Sequence, residues 1–294
     1  MKVNLNGSIV ALATPFNADG SINFDQLGKL IDWHIDNKTD GILILGTTGE
    51  SSTMTHEEDD MICEYTMKRV DGRVPVVAGS GSNCTETMLE KSIKFAKYGV
   101  DALLTISPYY IKANDEGMYR HFATIADNVP VPSILYNVPG RTGCSISPEV
   151  VKRLSKHENI IAIKEASGDV GYATKIARYL TENFKMLCGN DDIILPLLSL
   201  GASGVISVWA NIQPNEVHEL VACYNRGDVA GARKIQFDNL DIINALFMEV
   251  NPIPVKEAMN MMGLKAGSYR LPLYEMTPEH REALRKTLAK GGLI

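Results

Sequence analysis

Residues 160–169 read IIAIKEASGD: three isoleucines and an alanine run unbroken up to Lys164, and a short polar turn follows. A brief, continuously apolar run rich in β-branched residues fits a strand buried on both faces, as in a parallel sheet covered by helices. Seven other runs share this form. SIVALAT, GILILG, VPVVAG, DALLTIS and PSILYN precede it, and FKMLCG and GVISV follow. Taken at Thr14, Gly46, Gly79, Ser107, Asn137, Lys164, Gly189 and Ser207, their ends recur at mostly ~30-residue steps, the length of a βαβ unit. The segments between them have helical period. FDQLGKLIDWHIDN puts Leu27, Leu30, Ile31, His34 and Ile35 on one face, and TETMLEKSIKFAKYG does the same with Met88, Ile93 and Ala96 before stopping at Gly99. Eight such units predict an α/β fold, a (β/α)8 TIM barrel in preference to an open doubly wound sheet.

Beyond about residue 212 the strand pattern stops. PNEVHELVACYNRGD, AGARKIQFDNLDIINALFMEV, PIPVKEAMNMMG and TPEHREALRKTLAKGG are all helical in period, the last with Thr277 as N-cap and Pro278 at the first helical position. The expected organisation is a barrel carrying the active site over residues 1–225 and a small helical C-terminal domain over residues 226–294. No low-complexity linker separates the two, so they should pack together.

Composition narrows the function. Of 294 residues, 45% are hydrophobic and 22% charged, as in ordinary globular proteins, and the net charge of -6 with no basic run argues against nucleic acid as a partner. No stretch approaches the ~20 apolar residues of a membrane span, and the N-terminus lacks a signal-peptide pattern. Five scattered cysteines without a C-x-x-C pair suggest neither disulfides nor a zinc site. The expectation is a cytoplasmic protein with reduced thiols.

In a barrel of this kind the reactive groups sit at the C-terminal ends of the strands. GTTGE (46–50), SPYY (107–110), YNVPGRTG (136–143) and Lys164 are therefore the candidates. A lysine ending an apolar strand is partly desolvated, which disfavours its ammonium form, and a neutral amine can attack a ketone to form a Schiff base. The plain alternative is a stem covering apolar surface with its head in water. Thr47 and Thr48 lie in a glycine-flanked turn that can hold a small carboxylate, although such turns usually only turn. Tyr136 can pass protons to and from an imine, and Arg141 is a fork suited to a second carboxylate. The bland reading has Tyr136 as a core aromatic and Arg141 as a solvated charge.

GTTGES, YNVPGRTG, KEASGD and GND, in this order and at these separations, resemble the dihydrodipicolinate synthase family, class I pyruvate-dependent aldolases within the wider N-acetylneuraminate lyase group. The likeness runs from TPF (14–16) to NPIPVK (251–256). It implies the barrel with a helical C-terminal domain, and a homotetramer built as a dimer of tight dimers. It implies that Lys164 forms an imine with pyruvate. Thr47, Tyr136 and Tyr110 then form a proton relay, Tyr110 reaching across the tight-dimer interface. Thr48 would hold the pyruvate carboxylate, Gly189 and Ile206 would shape the pocket through their backbone, and Arg141 would receive the carboxylate of L-aspartate 4-semialdehyde. The implied product is 4-hydroxy-tetrahydrodipicolinate, on the route to diaminopimelate and lysine. No metal or organic cofactor is implied, because the protonated imine does the polarising.

Two places depart from the family pattern. The loop after the paired tyrosines reads YYIKAND, with Ile111 where asparagine is common, and Trp209 stands where a smaller residue is expected, which favours a packing role for it. Lysine-sensitive members bind their effector among positions matching Ser51, Ser52, His56, Asp59, Gly81, Asn83, Thr87 and Tyr109. Thr87 replaces an expected glutamate and Asp59 an expected histidine, so lysine inhibition should be weak or absent. A sugar-acid aldolase would keep the imine but change the acceptor, and Arg141 with Thr47 argues against it. A silent keto-acid sensor would not need both Lys164 and Tyr136.

Overall fold

A computed structural model describes residues 3–294. Eight parallel strands close into one barrel in sequence order: β1 (Gly7–Ala11), β2 (Gly41–Ile44), β3 (Val76–Gly79), β4 (Ala102–Ile106), β5 (Ser133–Asn137), β6 (Ile160–Glu165), β7 (Lys185–Cys188) and β8 (Gly204–Ser207). Closure is made by β1 and β8, with Ile9 opposite Ile206 in register. Gly204 permits it, since a Cβ there would stand 2.0 Å from the Gly7 carbonyl oxygen.

The continuously apolar strands face two cores. Ile9, Leu43, Val77, Leu104, Ile134, Ala162, Leu187 and Ile206 fill the barrel interior, while alternate residues such as Val10, Ile42, Ile163 and Val205 pack outward against the helices. With Ala162 pointing inward, the two-residue period of β6 sends Lys164 inward too, at the top of the barrel.

The helices start and stop where side chains can satisfy free backbone groups. Asn23 caps Phe24–Asp36, a Thr55–Glu58 capping box starts His56–Val70, and Gly99 in the left-handed region ends Thr85–Tyr98. In that last helix the buried stripe is Met88, Ser92 and Phe95, while Ile93 is exposed. The expected placing of Ile93 on the inner face is thus corrected: at 100° per residue it lies about 140° from Met88, off the stripe.

Pro214–Asn225 returns against β1, and four further helices follow: Val229–Asp238, Leu240–Ala245, Ile253–Met261 and Pro278–Lys290. Thr277 caps the last of them and Pro278 is its first residue, as the sequence suggested. Ile242, Ile243, Leu246, Leu284 and Leu288 join the same apolar cluster as the helices around the barrel. Trp209 is fully buried and its indole donates to Gln213 Oε1 at 2.7 Å, which is a packing role. Among the described residues no helix is long and apolar enough to cross a membrane.

Candidate active site

Lys164 is the penultimate residue of β6, with only 6% of its surface exposed. Its register partner on β5 is Tyr136, which also points inward, and Lys164 Nζ lies 4.4 Å from the centre of that ring. The amine is therefore not out in water, and its charge acts on the buried Asp191 carboxyl, opposing the effect of burial there.

Gly189, just past β7, is the other wall. Its N–H donates to the Glu165 carbonyl at 2.7 Å, and a Cβ at this position would come within 3.1 Å of Lys164 Cε. Ile206 is fully buried in the interior cluster that includes Tyr136.

The threonine turn follows β2. Gly49 and Glu50 donate back to the Gly46 and Thr47 carbonyls, and Thr14 Oγ1 donates to the Gly49 carbonyl at 2.7 Å. Thr47 and Tyr136 line a cavity of about 270 Å³ at the barrel mouth together with Arg141, Thr142 and Tyr109. Thr48 is turned away from solvent, and its Oγ1 accepts from Asn251 Nδ2 at 3.0 Å. Asn251 also accepts through its carbonyl from Arg141 Nη2 at 3.0 Å, so the exposed guanidinium is anchored at the entrance. A larger cavity of about 800 Å³ opens at the opposite end, between Leu5, Pro132, His157 and Lys185, and holds none of the strand-end groups.

Tyr110 is set apart. It is 91% exposed and takes φ +72°, a conformation that costs a non-glycine residue on the order of 1–2 kcal/mol. Its backbone N–H reaches the Thr142 carbonyl at 3.4 Å, tying this loop to the one that carries Arg141. The ring contributes nothing to the pocket of its own chain.

The expected effector positions fall in two groups. Ser51, Ser52, Gly81 and Tyr109 line the mouth cavity, and Asn83 Nδ2 donates to the Tyr109 carbonyl at 3.3 Å. His56, Asp59 and Thr87 border a separate cleft of about 40 Å³, where Lys91 Nζ is 2.9 Å from Asp59. Burial raises the Asp59 carboxyl above its ordinary range, with the neighbouring Lys91 pulling the other way.

Three site neighbours were not singled out from sequence. Asn251 sits in NPIPVK, a segment noted only for its likeness. Glu50 closes GTTGE and makes a fully buried ion pair with Lys256, at 2.7 Å. Asp191, the last residue of GND, is fully buried; desolvation pushes its carboxyl up to about 6, against the stabilising N–H groups of Val208 and Trp209. In all three the signal was a polar residue inside a quoted motif; the partners of the Asn251 and Glu50 side chains lie more than 200 residues away, those of Asp191 one βα unit on. Among the described residues no cluster of three or more His, Cys, Asp or Glu side chains is arranged to hold a metal ion.

A parallel eight-stranded barrel that buries a lysine amine against a tyrosine ring at its C-terminal mouth has the make-up of a Schiff-base aldolase. The particular family is shown by comparison. The profile of the Dihydrodipicolinate synthetase family matches residues 4–291, and the chain belongs to that family. It is 50% identical over 288 residues to 4-hydroxy-tetrahydrodipicolinate synthase 1 of Clostridium acetobutylicum, covering 98% of both chains. It is 49% identical to the 4-hydroxy-tetrahydrodipicolinate synthase of a Thermoanaerobacter species, covering 98% of this chain and 97% of that one. The crystal structure of dihydrodipicolinate synthase from Aquifex aeolicus superposes with a TM-score of 0.96 at 44% identity, over 98% of this chain and 99% of that one.

Proposed function

We propose that the chain is a lyase that condenses pyruvate with L-aspartate 4-semialdehyde to 4-hydroxy-tetrahydrodipicolinate, the committed chemistry of diaminopimelate and lysine formation. The observation that carries the reading is the inward, almost fully buried Lys164 beside Tyr136, under a mouth shared by Thr47 and Arg141.

In the proposed cycle the Lys164 amine attacks the keto carbon of pyruvate and water leaves, giving a protonated imine. Thr48 holds the pyruvate carboxylate. The imine draws electrons from the methyl carbon, whose proton passes to the relay of Tyr136 and Thr47, and an enamine forms. That carbon bonds to the aldehyde carbon of the semialdehyde, whose oxygen takes up a proton from the same relay. Arg141 binds the semialdehyde carboxylate as a charged fork. The semialdehyde's own amine then displaces Lys164 and closes the ring. The imine is the electron sink throughout, so the cycle requires no metal and no organic cofactor.

The relay is completed by Tyr110 from a second copy of the chain, consistent with its exposure and strained backbone. We assign a homotetramer made of tight dimers, a cytoplasmic location, and a division into a barrel over residues 1–225 and a helical domain over residues 226–294. Light scattering of the purified protein with and without Tyr110→Phe tests the assembly separately from the relay.

The function is tested by a coupled assay with dihydrodipicolinate reductase, following NADPH loss. A rate proportional to enzyme and abolished by Lys164→Ala is expected. Pyruvate trapped by borohydride without any rate on the semialdehyde would move the acceptor to a sugar acid, and equal labelling of Lys164→Ala would remove Lys164 as nucleophile.

A further inference from the structure

A hydroxyl can accept and donate at once, and what it accepts decides where its proton is free to go. Thr48 is 2% exposed, and its Oγ1 takes an N–H from the Asn251 side-chain amide at 3.0 Å. An amide N–H cannot accept, so the Thr48 proton is left pointing away from Asn251. Asn251 is itself 6% exposed: its Nδ2 is held on Thr48 and its backbone carbonyl under the Arg141 guanidinium at 3.0 Å, while its Oδ1 is buried without a hydrogen-bond partner. It sits in the connection just before Ile253–Met261, outside the barrel strands, and 203 residues along the chain from Thr48.

We propose that Asn251 is a positioning residue that makes Thr48 an obligate hydrogen-bond donor toward the pyruvate carboxylate, so that a residue of the helical region sets affinity for the first substrate. The inference rests on the reading that Thr48 binds that carboxylate. The Arg141 contact is the anchor: it holds residue 251 through the main chain, which a side-chain substitution leaves in place. The consequence is selective. Changing the amide alters pyruvate binding while the Arg141 guanidinium stays where it was.

The test measures pyruvate affinity from the concentration dependence of borohydride inactivation, and KM for the semialdehyde from the coupled assay, with thermal unfolding as the check on folding. Asn251→Ala should weaken pyruvate binding about fivefold and leave the semialdehyde KM within about twofold, the range expected for one lost neutral hydrogen bond. Asn251→Asp, nearly the same shape, should weaken pyruvate more than tenfold, because a carboxylate accepts the Thr48 proton and repels a second carboxylate. In a Thr48→Val background Asn251→Ala should add less than twofold, the non-additivity of a residue acting through another.

An Asn251→Asp enzyme that binds pyruvate as the wild type does would overturn the inference, since Thr48 would then be donating to residue 251. Thr48→Ser and Thr48→Val probe the same bond from the barrel side, whatever becomes of the Asn251 variants. Retained affinity with serine and loss with valine is expected. Equal affinity in both would refute the reading of Thr48 itself, a result distinct from failure at Asn251.

Discussion

Gly189→Ala is the sharpest test of how the barrel positions its lysine. A Cβ on residue 189 would lie 2.5 Å from Ala166 Cβ, 3.0 Å from the Glu165 carbonyl oxygen and 3.1 Å from Lys164 Cε. Carbon atoms rest at about 3.5–4.0 Å, so the first contact is short by at least ~1 Å. Ala166 has no flexible end that could yield, and the strand exits are tied by the 2.7 Å bond from Gly189 N to the Glu165 carbonyl. The ends of β6 and β7 must therefore part, and the Lys164 stem must move with them. Overpacking of this size costs roughly 1–3 kcal/mol of stability, and a displacement of ~1 Å at a reacting group costs about a hundredfold in rate.

The assay compares kcat in the coupled reaction, the rate of borohydride trapping at saturating pyruvate, and Tm. The expected outcome is a Tm lower by several degrees, at ~2–4 °C per kcal/mol for a chain of this size class, with trapping and kcat both down by about two orders of magnitude. Gly140→Ala is the control. A Cβ there meets nothing within 4 Å, although the residue adjoins Arg141, and activity should stay within about twofold. If Gly189→Ala traps pyruvate at the wild-type rate, the argument that this glycine makes room for the lysine is wrong.

Breaking the buried Lys256–Glu50 pair by Lys256→Met should cost about 3–5 kcal/mol by leaving a buried carboxylate without its partner, and Glu50→Gln in the same chain should recover part of it; chemical denaturation measures both. His34 is fully buried with neither ring nitrogen hydrogen-bonded, and burial lowers its pKa to about 3. Its folded pKa lies below the unfolded value, so its stabilising contribution is present above ~6.5 and is lost as pH falls toward ~3, by up to ~1.4 kcal/mol per pH unit. His34→Leu should accordingly flatten the fall of Tm between pH 6 and 4 relative to wild type; an unchanged slope would refute the assignment. L-Lysine should inhibit weakly or not at all, because Lys91 already occupies Asp59 and Thr87 offers no carboxylate; a sub-millimolar inhibition constant in the coupled assay would contradict this.

The strands were legible because burial on both faces leaves a periodic trace in local sequence. All eight runs became strands, and the inward turn of Lys164 follows from the position of Ala162 two residues before it. Ile93 went wrong because several rotations of a short helix satisfy an apolar count, and only the neighbouring helices select the one that buries Ser92 and Phe95. Thr47, Tyr136 and Arg141 could be gathered from sequence because the topology brings strand ends together at one mouth. Asn251 could not be. Its partners Thr48 and Arg141 lie 203 and 110 residues away, and nothing in NPIP says which loop it will face.

The same contacts tie the mouth of the barrel to the residues that follow it. The GTTGE turn is bounded by two non-glycine residues in the left-handed region, Leu45 just before it at φ +56° and Glu50 at its end at φ +59°, each costing on the order of 1–2 kcal/mol. A turn strained in this way relaxes unless its surroundings hold it. Thr14 holds the Gly49 carbonyl and Thr53 the Glu50 carbonyl from within the barrel, and further restraints come from beyond residue 225. Asn251 holds Thr48, and Lys256 holds Glu50 while its ammonium lies 4.4 Å from the centre of the Phe16 ring. Lys256 also donates to the Ser268 carbonyl, and Arg270 reaches from the next segment to Glu58 in the helix that follows the turn. The helical region thus offsets the strain that presents both threonines, and cutting any of these ties should be felt first as weaker pyruvate binding.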